Sequence, residues 1–333
     1  MHCATLDFWC YMISERRLTS EEKLNAFADD LSKGIDVSGI QDITIFVTGS
    51  YAREEASPYS DLDLFIVRDG SEKGNKLTNI EKALLDSSLI RISREHEFPD
   101  FSGGGEFLKV NYIKDMQDSL GGREDDFNNH FTARMLLLSE SKALYNEKTY
   151  NKFLNEVIEA YFRDYHEHTK DFQPVFLLND VIRFWRTLCL NYEHARNRKD
   201  KTPEEKNKAH LKNLKLKFSR MMTCYSLMVS ILYIDGHVTQ KDIFDLVQIT
   251  PTRRMEKLAS DFPALSGVIQ LLLDKYAWFL RQTGREKEEV LRWIGDKGQR
   301  DKAFDMARDY SAHFYEIISN IPKEKEKLKY LVI

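Results

Sequence analysis

Two short apolar runs, ITIFVT (43–48) and LDLFIV (62–67), bracket a segment that opens on Gly49-Ser50 and closes on Asp61-Leu62-Asp63. Runs rich in β-branched and aromatic residues, with turn signals on either side, read as two strands of a buried sheet. Side chains alternate along a strand, so two aspartates flanking one leucine project from the same face. Adjacent carboxylates repel, and a cation between them resolves the conflict. Oxygen donors on rigid elements suit Mg²⁺, which also recruits substrate phosphates. Gly49 lets the backbone come close to a ligand, and a short helix expected from Tyr51 to about Ala56 would direct its first N–H groups at the same place. A solvated strand can carry D-x-D by chance, so the flanking context has to decide.

The rest of the chain sets the frame. Its 333 residues carry 49 Lys+Arg against 53 Asp+Glu, a formal net charge of −4, and 42% are hydrophobic. These values suggest about two domains of a soluble globular protein and argue against a general nucleic-acid coat. No apolar run reaches the roughly 18 residues of a membrane span. Residues 1–17 lack a basic start and are interrupted by Asp7, so no signal peptide is expected and the cytoplasm is the default location. Cys3, Cys10, Cys189 and Cys224 form no C-x-x-C pair and are expected to be reduced thiols.

A helix is expected within Lys76–Leu89, and a further strand at Glu106–Asn111 after the run Ser102-Gly103-Gly104-Gly105. From about Asp125 onward the apolar period becomes helical: FTARMLLLSESKALY, YNKFLNEVIEAYFRDY, PVFLLNDVIRFWRTLCLNYEHA, LKLKFSRMMTCYSLMVSILYI and GVIQLLLDKYAWFL all read as helices. Pro174, Gly236, Pro251, Pro263 and Gly284 punctuate them. The expected fold class is α+β, with a mixed β-sheet and helices over residues 1–140 followed by an all-α helical domain over 141–333. Residues 196–220 are the most basic stretch and are expected to begin as a polar loop, becoming helical near Lys212.

The arrangement strand, Gly-Ser, ten residues, Asp-Leu-Asp, strand resembles the signature of the polymerase-β-like nucleotidyltransferase superfamily. More narrowly, Gly49, Tyr51, Arg53, Glu55, Pro58-Tyr59-Ser60-Asp61 and Asp63 resemble the DUF294-type nucleotidyltransferases and the nucleotidyltransferase part of the uridylyltransferase that modifies PII signalling proteins. The resemblance implies transfer of a nucleoside monophosphate from an NTP to an acceptor, with release of pyrophosphate. It implies two Mg²⁺ ions, with Mn²⁺ as an alternative, held by Asp61, Asp63 and a third carboxylate, for which Glu106 is the candidate and Asp100 the second choice. Gly49, Ser50, Arg53 and Ser60 would contact the nucleotide. From the helical half, Lys217 and Arg220, which share a face at α-helical spacing, would hold the β- and γ-phosphates.

The favoured acceptor is a protein that receives AMP or UMP. Alternatives are a transferase acting on RNA or a nucleotide in signalling or phage defence, and a non-catalytic nucleotide-binding or antitoxin module. Arg134 is a candidate for reaching the site or for a structural ion pair, and Asn179, Asp180, Arg183 and Arg186 for lining a cleft or pairing among themselves. Arg308 and His313 fit the R-x4-H pattern of HEPN ribonucleases, a minor rival reading.

Overall fold

The computed structural model describes residues 3–36, 40, 42–101, 108–197, 202–321 and 327–331. They form an α+β protein with a mixed four-stranded sheet and a helical C-terminal region. The chain divides into two compact units, Glu15–Glu167 with Gln240–Gln248, and Met1–Ser14 with His168–Thr239 and Ile249–Ile333.

The elements up to Glu167 are α1 (Cys3–Asp36), β1 (Ile43–Thr48), α2 (Gly49–Ala52), β2 (Asp63–Arg68), α3 (Glu72–Asn75), α4 (Asn79–Glu95), β3 (Val110–Tyr112), α5 (Ile113–Asp118), α6 (Arg123–Phe127), α7 (His130–Ser139), β4 (Lys142–Tyr145) and α8 (Glu147–Ala160). The sheet order is β3-β2-β1-β4. β1 pairs antiparallel with β2 and β4, and β2 pairs parallel with β3. One sheet face carries Ile43, Ile45, Val47, Leu64 and Ile66, which are buried in one core with Leu24, Phe27 and Leu31 of α1 and Leu85, Leu89 and Ile92 of α4. On the other face Phe46 stacks on Phe65 at 5.6 Å between ring centroids, and Tyr150 of α8 meets Phe46 edge-on at 5.9 Å. Both faces of β1 are therefore covered, which explains why ITIFVT is apolar without a polar alternation.

Three expectations shift. The helix expected within Lys76–Leu89 runs from Asn79 to Glu95, because Thr78 and Glu81 form a reciprocal capping box that fixes its start. The strand expected at Glu106–Asn111 is seen as Val110–Tyr112, and residues 102–107 lie outside the described ones. The segment from Phe131 to Tyr145 is not one helix: α7 ends at Ser139 and Lys142–Tyr145 becomes β4. KALY has no strong strand propensity, but β1 is wholly buried and its second edge needs partners for its N–H and C=O groups. Two side chains close the same seam: Thr44 Oγ1 donates to the Tyr145 carbonyl at 2.7 Å and Asn146 Nδ2 to the Ile43 carbonyl at 3.1 Å. The sheet thus extends past residue 140, where the sequence places the end of its first domain.

The second unit contains α9 (Val175–Arg196), α10 (Pro203–Lys215), α11 (Met221–Tyr233), α13 (Pro251–Asp261), α14 (Ser266–Thr283), α15 (Lys287–Gly295) and α16 (Lys297–Ser319), while α12 (Gln240–Val247) belongs to the first unit. α10 starts at Pro203, earlier than the basic composition suggests, because Thr202 and Glu205 form a second capping box with Pro203 at the first helical position. Its core is aromatic: Phe218 stacks on Phe279 and packs against Tyr310, each at 4.7 Å. No helix among the described residues is long and apolar enough to cross a membrane.

Burial holds His130, His210 and His313 below the ordinary histidine value of 6.5. A base whose folded value is depressed stays neutral in the fold while the unfolded chain takes up the proton, so stability rises with pH through that window. The thermal midpoint is therefore expected to be lower at pH 5.5 than at pH 7.5. Replacing His130, whose Nδ1 lies 3.0 Å from Ser119 Oγ, by Gln should shrink that difference in a melting series.

Candidate active site

β1 ends at Thr48, which stands opposite Asp63, the first residue of β2. The chain then leaves the sheet through Gly49 with φ +72°, a left-handed conformation that favours glycine. A Cβ on Gly49 would lie 2.8 Å from Asp63 Oδ2, so the absent side chain is what lets the turn sit against that carboxylate. Gly49→Ala is expected to add left-handed strain of about 1–2 kcal/mol and to displace the Asp63 carboxylate. If the site is catalytic, turnover should fall by about a hundredfold, as it does when a reacting group is misplaced by an ångström. Steady-state kinetics beside a thermal melt would check this.

Asp61 lies in the lead-in to β2, outside the strand proper. Leu62 between the aspartates is buried in the core, while Asp61 is exposed and Asp63 half-buried. Strand alternation therefore covers Asp63 and not Asp61, although the sequence places both on one strand. Asp61 also acts on Tyr51, whose phenol is pushed up to about 12, first by burial and then by the charge of Asp61. The Tyr51 ring is held edge-on by Phe98 at 5.3 Å, and Phe98 in turn by Phe27 at 5.5 Å. A buried aromatic column thus supports the floor of the turn.

The helix expected from Tyr51 to about Ala56 is a single turn, Gly49–Ala52, followed by an irregular segment. Three main-chain N–H groups of that segment fold back onto it: Arg53 donates to the Gly49 carbonyl at 3.1 Å, Glu54 to Tyr51 at 3.0 Å and Glu55 to Ser50 at 2.8 Å. Glu54 takes φ +59° to do so. Ser57–Ser60 forms a second turn, in which Ser60 N–H donates to the Ser57 carbonyl at 3.0 Å and Ser60 Oγ accepts from Ser57 N–H at 2.9 Å. Ser60 thereby sets the approach to Asp61.

Arg53, expected at the nucleotide, is buried with its guanidinium shared between two carboxylates. Nε donates to Glu55 Oε2 at 2.8 Å and Nη1 to Glu140 Oε2 at 2.5 Å. Lys142 of β4 reaches Glu54 at 3.2 Å, while Arg16 Nη1 of α1 donates to the Ala56 carbonyl at 2.9 Å and Ser20 Oγ accepts from Ala56 N–H at 3.1 Å. Glu140 and Lys142 have no sequence signal, since each is more than eighty residues from its partner in the turn.

Among the described residues no group of three His, Cys, Asp or Glu side chains is arranged to hold a metal. Asp61 and Asp63 supply two hard oxygen donors, the type that suits Mg²⁺. Glu106 lies outside the described residues. Asp100 is exposed and paired with Arg94 at 3.2 Å. Arg134 is likewise engaged elsewhere: it is fully buried on α7 and clamps Asp125 of α6.

Lys217 and Arg220 belong to the helical unit, on the π-helical turn Leu216–Arg220 between α10 and α11. The wider π turn gives them a different angular spacing from the α-helical face expected. Asp180 pairs with Arg183 on α9 at 3.5 Å. On α16, Arg308 pairs with Asp305, and His313 stands 4.0 Å from Glu316; five residues apart on an α-helix, Arg308 and His313 point roughly 140° from each other.

Residues 26–100 match the family model of the nucleotidyltransferase domain, of the polymerase-β-like superfamily. The matched segment includes β1, the Gly49-Ser50 turn, both aspartates and α4, and it ends before β3 and β4. No curated protein matches the chain.

Proposed function

We propose that the chain transfers a nucleoside monophosphate from an NTP to an acceptor, with a protein hydroxyl as the favoured acceptor, and releases pyrophosphate. The observation that carries this reading is the contact of Gly49 with Asp63, whose Oδ2 occupies the space a side chain on Gly49 would need. That contact sets the Gly49-Ser50 turn against a carboxylate of the type that suits a hard cation, inside the segment that matches the nucleotidyltransferase model.

In this reading the acceptor oxygen attacks the α-phosphorus, the bond to the bridging oxygen breaks, and pyrophosphate leaves with that electron pair while the acceptor proton passes to solvent. Asp61 and Asp63 would hold Mg²⁺, with Glu106 as the third carboxylate. Bound there, the ion would offset charge on the triphosphate and its leaving group. The turn at Gly49 and Ser50 would seat the triphosphate, and Ser60 would fix the lead-in to Asp61. A protein acceptor is supported by the likeness of Gly49–Leu64 to the uridylyltransferase of PII proteins.

Incubation with each α-³²P-NTP, Mg²⁺ and cell lysate tests the proposal. Label migrating with protein is expected, most readily from ATP or UTP. Label on RNA or on a nucleotide would replace the acceptor, and no pyrophosphate release with any NTP would overturn the transfer reading.

A further inference from the structure

The Gly49-Ser50 turn is held by groups that the matched segment only partly contains. Gly49 and Ser50 offer their carbonyls to the N–H groups of Arg53 and Glu55. The side chains of those same two residues meet each other, and Arg53 goes on to Glu140, at the C-terminal end of α7. Side-chain exposure is 7% for Arg53, 1% for Glu55 and 0% for Glu140. Lys142, two residues beyond Glu140 on β4, anchors Glu54. Arg16 and Ser20 of α1 hold both main-chain groups of Ala56.

We propose that Arg53 is a positioning residue, which with Glu55 and Glu140 sets the peptide planes of Gly49 and Ser50. A buried guanidinium bonded to two carboxylates on separate segments is fixed in direction by its planar fork, and breaking one side leaves a buried charge uncompensated. The rigidity passes to the main chain because the N–H groups that bind Gly49 and Ser50 belong to the residues so fixed. A catalytic turn needs such support to hold its geometry within about half an ångström. Glu140 lies beyond residue 100, where the family match ends, so this support comes from outside the matched segment. The consequence for catalysis rests on the nucleotidyl-transfer reading, but the consequence for the turn does not.

Two measurements on the full chain separate these. Hydrogen exchange without nucleotide is followed at the amides of Arg53, Glu54 and Glu55 in wild type, Arg53→Lys and Glu140→Gln. Glu140→Gln keeps shape and one acceptor oxygen, so it stays informative even where Arg53→Lys unfolds. Exchange at those amides should accelerate about tenfold or more, with β2 amides unchanged; wild-type exchange in Glu140→Gln would overturn the proposal. In turnover assays kcat should fall about tenfold while the KM for NTP changes less than about twofold. A raised KM with unchanged kcat and unchanged exchange would instead put Arg53 on the nucleotide and also overturn it. Absent wild-type turnover would count against the transfer reading, with exchange still deciding the brace.

Discussion

Replacing Asp61 or Asp63 by Asn is expected to reduce pyrophosphate release by about a thousandfold or more. A bound cation at a phosphoryl-transfer site contributes several kcal/mol of charge stabilisation in the transition state, and each 1.4 kcal/mol is about a factor of ten in rate. Asn keeps the shape and loses the charge, so the variants isolate the electrostatic contribution. Stability should barely move: Asp61 is exposed, Asp63 is half-buried, and removing one of two neighbouring like charges relieves repulsion. A melting curve within about 0.5 kcal/mol of wild type, beside lost turnover, would separate chemistry from folding. Equal pyrophosphate release from wild type and both variants would reject the aspartate pair as the catalytic centre and favour a non-catalytic nucleotide-binding module.

The largest expected effect on stability lies away from that site, at Arg134. Its guanidinium donates from Nη1 and Nη2 to the two oxygens of Asp125 at 2.8 and 2.7 Å, from Nη1 to the Met116 carbonyl at 2.9 Å, and from Nε to Tyr161 Oη at 2.9 Å. Both charged side chains are 0% exposed. Asp125 also accepts from Ser119 Oγ at 3.4 Å and Gly121 N–H at 3.3 Å, so α5, α6, α7 and the end of α8 meet at one ion pair. Asp125→Ala leaves a buried cation without its counter-charge and is expected to cost about 3–5 kcal/mol. In a unit of this size that is roughly a 10 °C fall in melting temperature. The double variant Asp125→Leu/Arg134→Met should recover most of the loss, since replacing a whole buried pair by apolar groups is often neutral or stabilising. A double variant as unstable as Asp125→Ala would show that the carbonyl and tyrosine bonds outweigh the ion pair.

The sequence made the strands around the site legible because their neighbours are local. ITIFVT and LDLFIV are bounded by their own turn residues, and Leu62 is buried between an exposed Asp61 and a half-buried Asp63. Long periodic segments such as α9 and α14 were legible for the same reason. Segment boundaries failed where a cap outweighed the apolar period, at Thr78 and Thr202. β4 failed because the buried edge of β1, a hundred residues away in sequence, overrides the helical period of FTARMLLLSESKALY. Arg134, which sequence alone left between the site and a structural pair, belongs to a buried clamp.

Local chemistry alone therefore determined the fold class and the left-handed turn at Gly49, since a strand's apolar pattern and a glycine's freedom operate over a few residues. The tertiary structure decided which groups Arg53 pairs with. A guanidinium in sequence near a Gly-Ser turn reads as a phosphate ligand, and only the tertiary structure shows it buried and paired with Glu55 and Glu140. Long-range pairing also brought Glu140, Lys142, Arg16 and Ser20 to the turn, because ion pairs and hydrogen bonds depend on distance in space, which spacing along the chain does not encode.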